Sequence, residues 1–120
     1  ASGRDGARNV KVLNQVSFRV ETLSDLRDFH DLLSGKNGIS DLVPINHGLA
    51  WSIYFKDPEG NRIEVFVDSP WYVEQPIADP LDLNLSDAEI TRQTELDYQN
   101  YPGFQPRSQW QKKLENQLDV

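Results

Sequence analysis

Between residues 50 and 68 the chain reads AWSIYFK, DPEGN, RIEVFVD: two seven-residue runs of alternating character around a short polar break. Alternation with period two commits both runs to strands, because successive strand side chains point to opposite faces. Pro58 presets a turn and Gly60 accepts a positive φ, so the runs fold back on each other as a hairpin. Parity then sorts the side chains. Trp51, Ile53, Phe55, Ile63, Val65 and Val67 make an apolar face that must be covered, while Ser52, Tyr54, Glu64 and Phe66 share the other.

The segments before the hairpin supply the cover. VKVLNQVSFRV, ending at Val20, alternates as a first strand, with Val16, Phe18 and Val20 on one side and Gln15, Ser17 and Arg19 on the other. Leu23, Leu26, Phe29, Leu32 and Leu33 recur at helical spacing, and Gly35 and Gly38 end that helix. DLVPINHG is a short strand; its Pro44 cannot donate to a ladder, which suits an edge or a bend. The order is strand, helix, strand, strand, strand, an α+β module over residues 11–68.

Residues 1–10 mix Gly, Arg, Ser and Asp and predict a flexible leader. After Asp68 the character changes. SPWYVEQPIADPLDLNL predicts an extended arm without regular structure, followed by two helices with capping-box spacing, Ser86 with Glu89 and Ser108 with Gln111. Tyr98 and Trp110 are docking residues on those helices. Residues 69–120 therefore form a C-terminal arm and helix pair that pack on the module or on a partner.

Composition narrows the chemistry. The chain has 120 residues, the size of one domain, and no cysteine, which excludes disulfides, thiolate metal sites and thiol nucleophiles. A net charge of -7 argues against nucleic acid, whose recognition needs clustered Lys and Arg. No run approaches the about 18 apolar residues of a membrane span, so no membrane partner and a cytosolic location are expected. The chain holds no methionine and begins at Ala1, which predicts a processed or partial chain.

Gln15, Ser17, Ser52, Tyr54, Glu64 and Phe66 share the second face of the sheet, a mixed lining suited to a ligand cavity. The same pattern is that of a sheet with one solvated face, and parity leaves both readings open. His47 beside Gly48 reads by itself as a loop histidine, and His30 as an ordinary helix position.

One longer pattern changes that balance. Ile45-Asn46-His47, then Ile53-Tyr54, then Asp57-Pro58-Glu59-Gly60, then Glu64 resembles the signature of ring-cleaving extradiol dioxygenases of the vicinal oxygen chelate superfamily. The resemblance covers residues 12–68. It implies a βαβββ module with a mixed or antiparallel curved sheet, two of which pair around a divalent metal. It further implies Glu64 as a metal ligand, Tyr54 as a hydrogen-bond donor to substrate, and His47 as a histidine close to substrate. Ser17, Ser52 and Phe66 become substrate-binding candidates. The family's first-strand metal histidine falls on Gln15, a weak neutral ligand for iron. Some glyoxalases of the superfamily use glutamine there, so Gln15 and Glu64 are the expected half of a site for Fe, Mn, Ni or Zn, with the metal also able to be absent.

Two functions follow from the resemblance. One is an enzyme-like protein acting on a small aromatic or dicarbonyl compound, with its metal site completed by a homodimer or by a second βαβββ module. The other is a non-catalytic binder of a small hydrophobic ligand, like the bleomycin-resistance proteins, held between aromatics such as Trp51 and polar anchors. A structural dimer without ligand is a third.

Overall fold

The computed structural model describes residues 15–118; the leader expected over residues 1–10 and the opening of the first strand lie outside the described residues. The fold is α+β. Strand β1 (Val16–Arg19) leads to helix α1 (Leu23–Leu33), then to β2 (Ser40–Asn46), β3 (Ala50–Lys56) and β4 (Arg62–Asp68). The arm adds β5 (Trp71–Tyr72), β6 (Asp79–Pro80), helix α2 (Asp87–Tyr98), β7 (Gln105–Pro106) and helix α3 (Arg107–Leu118). The main sheet is mixed, in the order β1-β4-β3-β2-β6, with β1 parallel to β4 and the remaining pairs antiparallel. No described helix is long and apolar enough to cross a membrane.

Helix α1 starts where Thr22 caps it: the Thr22 hydroxyl accepts from the Asp25 amide at 3.0 Å, and the Asp25 carboxylate accepts from the Thr22 amide at 3.3 Å. Its Leu23, Leu26 and Leu33 bury against Trp51, Ile53, Phe55, Val65 and Val67, the face that alternation assigned to the core. The buried stripe is narrower than expected. Phe29 and Leu32 are exposed, as are Val16 and Phe18, because α1 lies over β3 and β4.

The hairpin turn is held by its first residue. The Asp57 carboxylate accepts from the Glu59 amide, the Asn61 amide and the Asn61 side chain at 3.0, 2.8 and 3.0 Å. The Asn61 side-chain bond, followed by the backbone donors, holds the Asp57 carboxyl below the usual aspartate range.

The arm differs from its expectation in two places. It carries regular structure: β6 pairs with Ile45 and Asn46 of β2, and β5 pairs with β7. Ser108 also lies inside α3 instead of capping it. The Arg107 amide donates to the Pro70 carbonyl at 2.8 Å, so β7 passes straight into the helix and no cap residue intervenes. Trp110 stacks on Tyr72, ring centroids 4.5 Å apart.

Helix α2 docks through Thr94, which has no exposed surface. Its hydroxyl accepts from Trp51 Nε1 at 3.0 Å and from Asn46 Nδ2 at 3.1 Å, and donates to the Ile90 carbonyl at 2.8 Å. Tyr98 on the same helix enters a second small core with Val73 and Ile77 of the arm. Its hydroxyl donates to Asp79, and burial together with that bond raises its pKa. Gly48 sits against this cluster at φ +76°, where a Cβ would stand 2.6 Å from Val73 Cγ1. Only glycine fits there.

Two outcomes are expected. Thr94→Val leaves two buried donors without an acceptor, and urea unfolding should show a loss of about 2–4 kcal/mol. Because folding lowers the Asp57 pKa, its contribution is present above the unfolded value of 3.8 and fades as pH falls through the folded one. In acid unfolding curves Asp57→Asn should therefore shrink the difference between neutral pH and pH below that window; an unchanged acid limb refutes the assignment.

Candidate functional site

Glu64 stands at the centre of β4 on the face away from α1, with 14% of its side chain exposed. A carboxylate so placed keeps its charge only if donors replace water. Sheet register brings them. Ser17 lies opposite Glu64 in the parallel β1–β4 pair and donates to Oε1 at 2.8 Å. Tyr54 lies opposite in the antiparallel β3–β4 pair and donates to Oε2 at 2.9 Å, and Ser52, two residues along β3, donates to the same oxygen at 2.8 Å. Burial, then the bond and charge of Glu64, push the Tyr54 hydroxyl well above its ordinary pKa. It stays protonated and acts as a donor.

His47 leaves the end of β2 and reaches back over β3. Its Nε2 lies 2.8 Å from the Tyr54 hydroxyl and 3.9 Å from Glu64 Oε2, and its Nδ1 lies 2.6 Å from the Ile77 carbonyl. The two rings meet edge to face with centroids 5.8 Å apart.

Above this cluster lies an open depression of about 400 Å³, with Ser17, His47 and Glu64 on its floor and Leu49 and Phe66 on its apolar side. The arm closes one flank with Gln75 and Arg107. Arg107 Nε donates to the Ser69 carbonyl at 3.0 Å, its Nη2 donates to the Leu49 carbonyl, and it lies 3.8 Å from Asp68.

Of the residues selected from the sequence, His47, Tyr54, Glu64, Ser17 and Ser52 form one connected group, and Phe66 lines the depression beside it. Gln15 does not join them. It precedes β1, is exposed, and is not among the residues lining the depression. Trp51 points into the core on the opposite face, where Thr94 takes its indole hydrogen, so it cannot line the cleft. Gln75 and Arg107 were not selected, because the arm around them has no periodicity to mark a face.

Among the described residues no group of three or more His, Cys, Asp or Glu gathers where it could hold a metal ion. Glu64 Oε2 is taken by two hydroxyl donors and Oε1 holds one, and His47 Nε2, the nearest imidazole nitrogen, already faces Tyr54. The described residues of one chain do not fit a resident divalent cation.

Over about half of its length the chain is similar to extradiol dioxygenases, enzymes of the vicinal oxygen chelate superfamily. It is 39% identical over 57 residues to biphenyl-2,3-diol 1,2-dioxygenase 2 of Rhodococcus globerulus, a stretch covering 48% of this chain and 30% of that protein. It is 40% identical over 57 residues, with the same coverage, to biphenyl-2,3-diol 1,2-dioxygenase 3 of the same organism. It is 46% identical over 55 residues to the metapyrocatechase of Pseudomonas sp. (strain CF600), covering 44% of this chain and 18% of that protein. The match thus spans less than a third of the length of each of these relatives. No family model matches the chain. No solved structure matches it significantly.

Ser52→Ala removes one of the two donors on Glu64 Oε2 and leaves no surface route for water, since Ser52 has no exposed area. The expected cost is about 2 kcal/mol in denaturant unfolding. A change under a few tenths of that would mean the Glu64 charge is satisfied in another way.

Proposed function

We propose that the polar face of the sheet is a small-molecule site of extradiol-dioxygenase type, taking a planar aromatic ligand that carries adjacent hydroxyls. The observation that carries this reading is the unequal use of the two Glu64 oxygens. Oε2 accepts from Ser52 and Tyr54, whereas Oε1 accepts, among the described residues, from Ser17 alone. A carboxylate offers about four acceptor positions, so Oε1 keeps one for a ligand O–H. Ser17 and Glu64 both line the depression, while Ser52 and Tyr54 support Glu64 from behind.

The remaining walls suit the same ligand. Phe66 and Leu49 give a ring an apolar surface, and a volume of about 400 Å³ falls within the usual range for small-ligand clefts. The names of two relatives contain biphenyl-2,3-diol, a vicinal diol. In this reading Glu64 receives the ligand hydroxyl, Tyr54 shares its one hydrogen between Glu64 Oε2 and His47 Nε2, and His47 takes or returns a proton at Nε2. A ligand held without reaction is the competing outcome, and the two differ only in turnover.

A second reading concerns the partner. Among the described residues β1 has β4 as its one neighbour in the sheet, and Val16 and Phe18 on it are 45% and 56% exposed. An open edge beside exposed apolar side chains favours pairing with a second copy or a second βαβββ module. Such a pair would add ligands, beyond those the described residues gather, for a divalent cation beside Glu64.

Calorimetric titration with biphenyl-2,3-diol tests the first reading. Binding is expected with the isolated chain, weakened about 10- to 100-fold in Glu64→Ala, the worth of a hydrogen bond to a charged group; no heat and no thermal shift at millimolar ligand refutes it. Light scattering with elemental analysis tests the second. A strict monomer at all concentrations that takes up no Fe(II), Mn(II), Ni(II) or Zn(II) removes the paired metal site.

A further inference from the structure

The ring of His47 carries two nitrogens, and which of them meets the ligand cluster is decided outside the βαβββ module. Nδ1 lies 2.6 Å from the Ile77 carbonyl, and a carbonyl oxygen can only accept. Nδ1 therefore carries a hydrogen. In the neutral ring Nε2 then has only a lone pair and can only accept, so the single Tyr54 hydrogen, 2.8 Å from Nε2 and 2.9 Å from Glu64 Oε2, serves one of those two acceptors at a time.

The residue that bears this carbonyl is itself tied at its amide by one side chain. Gln75 Oε1 accepts from the Ile77 amide at 3.1 Å, and Gln75 Nε2 donates to the Val73 carbonyl at 3.2 Å and to the His47 carbonyl at 2.9 Å. The amide orientation is not open to exchange. Its oxygen meets an N–H and its nitrogen meets two carbonyls, so the reversed amide would lose all three bonds. Gln75 thus ties the main chain of His47 to the turn whose carbonyl orients the His47 ring. Val73 and Ile77 flank it in the second core, both buried, which fixes the turn from the other side.

From this geometry we infer that Gln75 is a positioning residue that sets the tautomer of His47 through the Ile77 carbonyl, making the C-terminal arm part of the ligand site. The inference rests on the proposed role of His47 beside the ligand, but it makes a statement about the protein alone. Residues of an outer layer that orient a metal-bound histidine are commonly worth about 10- to 100-fold in metal affinity or activity, and the lower end of that range is expected for a histidine without a metal. The arm lies beyond the hairpin signature, so a module cut at Asp68 would keep Glu64, Tyr54 and Ser17 and lose the control of His47.

The test is nitrogen-15 NMR of the two imidazole rings in the full chain at alkaline pH, with His30→Gln to assign His47, since the sequence has only these two histidines. The wild-type protein should show one His47 tautomer, hydrogen on Nδ1. Gln75→Ala should convert it to a mixture and weaken biphenyl-2,3-diol about tenfold. Gln75→Glu, which keeps the acceptor for the Ile77 amide and loses both donors, should fall between. A wild-type ring protonated on Nε2 overturns the inference, as does a folded Gln75→Ala or Gln75→Glu protein whose His47 signals stay at the wild-type positions. If Gln75→Ala does not fold, the wild-type tautomer and the Gln75→Glu variant decide. A wild-type chain with hydrogen on Nδ1 that binds no diol refutes the ligand reading and leaves the positioning role standing.

Discussion

Glu64 has 14% of its side chain exposed, and a carboxylate so far from water must be met by donors in fixed places. Three strands obey that demand. β1 must lie parallel to β4 in the register that puts Ser17 opposite, and β3 must pair so that Tyr54 lies opposite and Ser52 lies diagonal. A slip of one residue in either strand would turn these hydroxyls to the α1 face and leave the charge unmet. The apolar pattern of Ile53, Val65 and Val67 favours the same register from the other side of the sheet. Core and polar face therefore specify one pairing between them.

The arm depends on that sheet and gives something back. Trp51 is buried on the α1 face, yet its indole hydrogen has to find an acceptor, and Thr94 of α2 supplies it. Asn46 uses the same hydroxyl and also accepts from the Gly48 amide at 2.7 Å, which shapes the turn carrying His47. Arg107 then ties α3 to the Leu49 carbonyl just before β3 and the Ser69 carbonyl just after β4. The second core of Val73, Ile77 and Tyr98 packs directly against Gly48. The contacts that dock the arm therefore also surround the turn that carries His47.

How much of this could be read from residues alone follows from what kind of contact is involved. Side-chain periodicity marks a face, and so the hairpin, the α1 stripe at Leu23, Leu26 and Leu33, and the polar set around Glu64 were legible. Contacts made by main-chain carbonyls leave no pattern. Ile77 acts on His47 through its carbonyl, Gln75 acts through three backbone groups, and Arg107 acts through two carbonyls, so none of them stood out. Ser108 was misread as a cap because the capping spacing is local, whereas the start of α3 is set by the long-range pairing of β7 with β5. Phe29, Leu32, Val16 and Phe18 fitted their periodic faces and are nonetheless exposed. Periodicity assigns a direction and does not say whether anything lies in it.

The same bookkeeping of donors bears on metal. Among the described residues Oε2 of Glu64 has two hydroxyl donors and Oε1 has one, which leaves an acceptor position on Oε1. A divalent cation would compete for that position with a ligand hydroxyl, and it would need further ligands that the described residues do not gather. Those ligands would have to come from beyond the described residues. The relatives are at least three times longer than the matched stretch, which gives them room for such a complement. Oε1 is thus the position on which the chemistry of this face turns. Ser17 donates to Oε1 and lines the depression, so its hydroxyl stands beside whatever occupies that position.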